Sequence, residues 1–287
     1  MIGHRVKSAR LDGYRNPVVD TTTLLYRLLT LLLVAACVAG TAGAARPVLL
    51  QPFDLLPLAG GTYLVTDMSA NAVYEVDPAR HTGRLVARVA QARELGRLSD
   101  GRVLVTSAEK VLALNLRTGK ATVFARAKNY LLGIALSPDG WLYGSENVPG
   151  SEQTTLVRIR GGVRQVLGEF HGVHGILVTQ GDGLILGEAY EGRVLRIEPE
   201  TKQVTVLAEK LGNPGFAIPA ATGGYFVSEF FGNRVSHVWP DGRVTKVADV
   251  FKPGPIAFDS LHRIVGVAQD PGRVFRISGG KAAAVYR

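Results

Sequence analysis

One pattern returns about every forty residues, six times between residues 46 and 287, and a repeat of that period restricts the chain to architectures built by stacking like units. The copies read GTYLVTD (Gly61–Asp67), GRVLVTS (Gly101–Ser107), GWLYGSE (Gly140–Glu146), GLILGEA (Gly183–Ala189), GYFVSEF (Gly224–Phe230) and HRIVGVA (His262–Ala268). Most are followed by a second β-rich run, such as LVRIR (Leu156–Arg160), GRVLRIE (Gly192–Glu198) or NRVSHVW (Asn233–Trp239). A third run follows a turn, as in VTVLA (Val204–Ala208), and a fourth precedes each repeat, as in GIAL (Gly133–Leu136) and PIAF (Pro255–Phe258). Val, Ile, Leu and aromatic residues dominate these runs, and turns such as Asp139-Gly140 and Asp241-Gly242 separate them, glycine being at ease with positive φ. Apolar residues at spacings of three and four, which a helical solenoid needs, are missing. The expectation is an all-β chain: a six-bladed β-propeller with four antiparallel strands per blade, taking up the 242 residues from 46 to 287.

Residues 1–45 are of another kind. Arg5, Lys7, Arg10, Arg15 and Arg27 precede the apolar run Leu28–Val38, and small residues, including Ala42-Gly43-Ala44, close the segment. A basic start, an apolar run too short for a membrane span and an Ala-x-Ala site describe a secretory signal, with an uncleaved membrane anchor as the alternative. The region before the apolar run is long for a signal, so a start near Val19 is a further option. Cys37, the single cysteine, ends Val34-Ala35-Ala36-Cys37 and resembles the lipobox of bacterial lipoproteins, which implies a lipid-modified first residue. That reading and an ordinary small residue in an apolar run both stay open. The expected location is extracytoplasmic: secreted, periplasmic or lipid-anchored, with membrane contact only through the N-terminal segment. No cysteine follows residue 37, so the propeller has no disulfide and rests on packing.

The net charge of +9 falls to +6 once the five cations and two acids of residues 1–45 are set aside, 28 minus 22. The remaining cations are dispersed, often one per blade as Arg193, Arg234 and Arg273 are, without the basic track that nucleic-acid binding requires. The chain also lacks a Gly-x-Ser-x-Gly elbow and a phosphate-binding glycine loop.

Equivalent residues of successive blades form rings about a propeller's axis. The column closing the second strand reads Asp67, Ser107, Glu146, Glu188, Glu229 and Ala268, four of six acidic. Crowded carboxylates would raise one another's pKa unless compensated, so Asp67, Glu146, Glu188 and Glu229 are candidate ligands for one divalent cation, Mg or Ca. Against this, Arg193 and Arg234 stand five residues after Glu188 and Glu229, a spacing that suits pairing within each blade; Asp67 and Glu146 have no arginine so placed. A second column lies fourteen residues upstream: Leu132, His174 and Gly254, while a lengthening of two or three residues around Ala220–Gly223 puts Asn213 or Pro214 in the place before Glu229. His174 and Glu188 would meet at the channel mouth, where an imidazole near carboxylates has a raised pKa and serves as acid, base or metal ligand. A histidine bonded to a neighbouring backbone is the alternative. His171, three residues earlier, is placed on a loop. Tyr130, Tyr190, Phe230 and Phe231 are candidates to line a ligand pocket, or else pack between blades.

Blocks such as GIALSPDGWLYGSE (133–146) and GFAIPAATGGYFVSEFFGNRV (215–235) resemble NHL-repeat propellers and the SMP-30/gluconolactonase, strictosidine synthase-like and virginiamycin B lyase groups. The lyase resemblance implies histidine and glutamate around magnesium, which His174 and Glu188 match, while Leu132 and Gly172 stand where a second histidine and an acid belong. The lactonase resemblance implies a metal-binding glutamate in Glu-Gly-Pro and an asparagine in Pro-Asn-Gly, where blade one of this chain begins Gln51-Pro52-Phe53-Asp54 and the second position reads Leu131-Leu132-Gly133. Two functional readings follow. The first is an exported, monomeric propeller that binds a small molecule or an envelope protein at its channel mouth. The second is a metal-dependent lyase or lactone hydrolase.

Overall fold

The computed structural model describes residues 47–181 and 183–287; the expected leader, its Ala-x-Ala site and Cys37 lie outside the described residues. These residues form 24 strands, numbered β1 to β24 in chain order, in six sheets of four consecutive antiparallel strands each. No helix occurs among the described residues. The expected six-bladed propeller is the fold.

The first strand of each blade, β1 (Pro52–Pro57), β5 (Ala92–Arg97), β9 (Leu131–Leu136), β13 (Val173–Val178), β17 (Pro214–Pro219) and β21 (Pro253–Phe258), touches the first strand of the next, and β21 touches β1. These six therefore surround the axis. The second strands are β2 (Tyr63–Asp67), β6 (Val103–Ser107), β10 (Leu142–Asn147), β14 (Leu184–Glu188), β18 (Tyr225–Glu229) and β22 (Ile264–Gln269).

A second strand is mainly apolar up to its polar end because both of its faces are covered. In β14 all five residues are buried, whereas the outermost strand of that blade, β16 (Gln203–Ala208), begins with four exposed ones. Alternation then sorts the β14 side chains between two neighbours. Leu184 and Leu186 pack with Tyr143, Leu156 and Leu167 of the preceding blade, and Ile185 packs with Val227 and Val238 of the following one. Six apolar clusters of this kind fill the six blade interfaces. Each fully buried Leu, Ile or Val in them contributes about 1.5–3 kcal/mol of apolar burial.

Because every sheet is one continuous stretch of chain, no strand is exchanged to lock the ring. Packing closes it. Leu49, Leu55, Tyr63 and Val65 of the first blade meet Val265, Val267, Val274 and Tyr286 of the last, and the Tyr286 hydroxyl donates to the Pro47 carbonyl at 3.1 Å. Gly272 is needed at this seam, since a Cβ there would stand 2.4 Å from the Leu49 carbonyl oxygen. At the axis Gly133 has a like role: a Cβ would stand 2.1 Å from the His174 carbonyl oxygen.

Candidate functional site

A β-bulge at the start of every first strand builds the site. β1 pairs Pro52 with Asp67 and next Leu55 with Val65, so Phe53 and Asp54 together oppose Thr66. The same step occurs in β5, β13, β17 and β21, and β9 shifts register between its pairs Leu131 with Glu146 and Gly133 with Ser145. Such a bulge leaves one residue outside the ladder and re-aims its side chain. The freed backbone donors find hydroxyls on the second strand: Thr66 Oγ1 accepts from Asp54 N–H at 2.9 Å, Thr106 Oγ1 from Glu94 N–H at 3.0 Å and Ser228 Oγ from Phe216 N–H at 3.2 Å. The hydroxyl residues near the ends of the second strands thus belong to the architecture of the axis.

The bulges place Phe53, Arg93, His174, Gly215, Phe216 and Gly254 around a pocket of about 300 Å³ at the axis. Tyr190, Phe230, Phe231 and Met68 line it from the loops after the second strands, and Gln51, Asn213 and Gln269 add amides. Phe230 and Phe231 meet edge to face with centroids 5.3 Å apart. Tyr130 stands behind this wall: its hydroxyl bonds Arg93 Nη1 at 2.7 Å. The guanidinium lies 3.9 Å from the Phe53 ring centroid and 4.9 Å from that of Tyr130, and the two rings hold it by cation–π attraction.

The second column differs from its sequence reading in two respects. Pro214 pairs with Glu229 fifteen residues on, as Val173 does with Glu188, so Gly215 is the counterpart of His174 and the chain is not lengthened around Ala220–Gly223. Asn213 lines the pocket from the loop before β17, and Pro214 stays in the ladder. His174, moreover, does not meet Glu188, whose carboxylate turns to Arg193 and to the His171 N–H. Burial first, and then the positive Arg93, push the His174 imidazole down to about 4, the opposite of the expected direction. His171 ends β12 (Val163–His171) and faces Glu191 at 2.6 Å in an exposed pair, away from His174.

Each acid of the first column secures its own blade. Glu188 accepts from the His171 N–H at 3.0 Å and from Arg193 at 2.7 and 2.9 Å. Glu229 accepts from the Gly212 N–H at 2.6 Å, from Arg234 at 2.7 and 3.0 Å, and from the Ser236 hydroxyl. Glu146 accepts from the Lys128 N–H at 3.0 Å and from Arg164 of β12 at 2.6 and 3.0 Å, an arginine that lies eighteen residues away and outside the expected spacing. Asp67 has only backbone donors, Leu50 at 2.7 Å, Gln51 at 3.2 Å and Ala70 at 2.9 Å. The acids thereby pin the chain as it enters each first strand. Their oxygens are occupied and dispersed over four blades, and among the described residues no three of His, Cys, Asp or Glu converge on one point. The set does not fit a divalent-cation site.

A different acidic pair lies at the axis. Asp54 accepts from the Leu95 N–H of the second blade at 2.7 Å and from the Leu55 N–H, yet burial outweighs both and pushes its carboxyl up to about 7. Glu94 is buried with no hydrogen-bond partner at Oε1. Burial, and then the nearby Asp54, push it well above the usual carboxylate range against the pull of Arg93. Sequence reasoning met Phe53 and Asp54 only as a departure from the lactonase motif and singled out neither of them as a site residue, nor Arg93 or Glu94. The fourteen-residue offset that found His174 reaches Arg93 from Ser107 and Phe53 from Asp67, so two of the four carried a signal.

No family model and no curated protein matches the chain. Solved structures do. A streptogramin B lyase superposes with a TM-score of 0.61 at 15% identity, covering 85% of either chain. A gluconolactonase of Xanthomonas campestris gives 0.64 at 13%, over 82% of this chain and 91% of its own. Regucalcin of Agrobacterium tumefaciens, described as a calcium-binding protein, gives 0.63 at 16%, over 77% and 82%. The likeness is one of fold. At such identities the side chains at the axis are free to differ, and function has to be argued from them.

Proposed function

We propose that this chain is an exported binding propeller whose axial pocket takes a small, mainly apolar organic molecule. The observation that supports the reading is the pocket itself: rings of Phe53, Tyr190, Phe216, Phe230 and Phe231 form its walls, and Arg93, His174 and three amides converge within it. Concave, aromatic sites with a few placed polar groups are the usual form of small-molecule sites. A screen of small aromatic and alicyclic compounds by thermal shift tests it. A ligand at a hundred times its Kd stabilises by about 2.7 kcal/mol. Gly215→Phe is the blocking control, because a Cβ there meets nothing nearer than Ser228 Oγ at 3.7 Å and the ring would fill the pocket. Hits that vanish in this variant support the reading, and hits that persist place binding elsewhere. Export rests on residues 1–45 and is checked by N-terminal sequencing of the secreted protein.

A metal-dependent lyase or lactone hydrolase is the second reading, favoured by His174 standing in the pocket. It requires Glu146, Glu188 or Glu229 to leave its arginine, and an imidazole held near 4 is a weak base at neutral pH. Binding is therefore preferred.

A further inference from the structure

We infer that the ligand of the axial pocket is a monoanion, a carboxylate on a flat apolar body, and that Arg93 is the residue that selects it. The inference rests on the binding reading above and adds the chemical class. Arg93 is the one Lys, Arg, Asp or Glu among the residues lining the pocket. It makes no ion pair among the described residues; the one hydrogen bond of its side chain is from Nη1 to the neutral Tyr130 hydroxyl. Nε is closed off from solvent without a partner, while Nη2 is neither bonded nor closed off. One hydrogen of Nη1 and both of Nη2 are thus available at the end of the guanidinium fork, the geometry that two carboxylate oxygens match.

A partly buried guanidinium without a counter-ion is costly, and neither nearby acid forms an ion pair with it among the described residues, Asp54 accepting from the Leu95 and Leu55 N–H groups instead. Glu94 is held well above the usual carboxylate range and Asp54 at about 7. Nor is Arg93 free to swing to water, since Phe53 and Tyr130 flank its plane. The arrangement is a preorganised, partly desolvated cation whose missing partner enters from the pocket. The surrounding rings favour a flat apolar body, and a single cation balances a single charge.

The test compares 2-naphthoate with its neutral isostere 2-naphthamide by isothermal titration calorimetry on the purified protein, Arg93→Met and Gly215→Phe. The expected result is naphthoate at least tenfold tighter than naphthamide in the wild type, as a charge-assisted hydrogen bond gives. That ratio should fall to within about twofold in Arg93→Met, with the amide's affinity unchanged. Arg93→Lys, which keeps the charge but not the fork, should retain part of the preference, and it serves if circular dichroism shows Arg93→Met unfolded. Equal affinities in the wild type, or a preference that survives Arg93→Met, overturn the inference and leave the binding reading standing, provided Gly215→Phe abolishes both. Failure of both compounds to bind the wild type overturns the inference together with the reading on which it rests.

Discussion

Glu229→Gln separates a structural carboxylate from a metal ligand. Glu229 is fully buried and accepts from Arg234 twice, from the Gly212 N–H and from the Ser236 hydroxyl. The amide keeps the shape and one acceptor oxygen, so the Gly212 contact can persist. It loses the charge, and its NH2 opposes the guanidinium. Each hydrogen bond to a charged group is worth about 1.5–3 kcal/mol. The Arg234 side chain is 36% exposed, so water takes back part of what the two arginine contacts lose. The expected destabilisation is about 2–3 kcal/mol, below the ~3–5 that fully buried pairs show when one partner is removed. For a domain of this size that is a Tm lower by about 4–12 °C. Urea unfolding followed by tryptophan fluorescence should show a lower midpoint at unchanged slope. In a cycle with Arg234→Met the double variant should cost less than the sum of the single ones. A Glu229→Gln protein as stable as wild type to within about 0.5 kcal/mol, the scatter of neutral surface changes, would refute the argument. So would the loss of a stoichiometric magnesium or calcium ion measured by elemental analysis.

Two further predictions concern the axis. Asp54 and Glu94 have folded-state pKa values above their unfolded ones, so between about 4 and 7 the folded chain holds more protons and stability falls as pH rises. The contribution is complete below the unfolded values and lost as pH passes the folded ones, at up to about 1.4 kcal/mol per pH unit per proton. Urea midpoints from pH 4.5 to 7.5 should show this slope, and Asp54→Asn should flatten it; an unchanged slope would refute the assignment. His174 moves the other way: its ring resonances should stay nearly constant from pH 8 to about 5.5 in an NMR titration and shift with a midpoint near 4. Arg93→Met should raise that midpoint, though burial keeps it below 6.5, and a wild-type midpoint near 6.5 would count against the burial of the ring.

The blade count and the four-strand unit were legible because a β-strand's period of two and glycine turns are local properties of the chain, and six copies of GTYLVTD-like runs repeat them. The first column was legible for the same reason, and the second except before Glu229, where Gly215 and not Asn213 or Pro214 holds the position: the ladder pairs residues fifteen apart in every blade, from Pro52 with Asp67 to Pro253 with Ala268. The pairs Glu188 with Arg193 and Glu229 with Arg234 also followed from spacing, because each spans a single hairpin. Arg164 on Glu146 did not, since it comes from two strands farther along the blade.

What only the tertiary structure decided is the chemistry of the axis. The charge states of Asp54, Glu94 and His174, and the setting of Arg93, depend on groups from different blades: the Leu95 N–H over Asp54, Asp54 near Glu94, Arg93 beside His174, and Phe53 and Tyr130 about Arg93. Burial and Coulomb interactions act through space, and the residues concerned stand about forty positions apart in sequence, or about eighty for Arg93 and His174, brought together once the ring has closed. Ring closure is of the same kind, a matter of how Leu49 and Tyr63 meet Val265 and Tyr286, and no local pattern in either segment names the other.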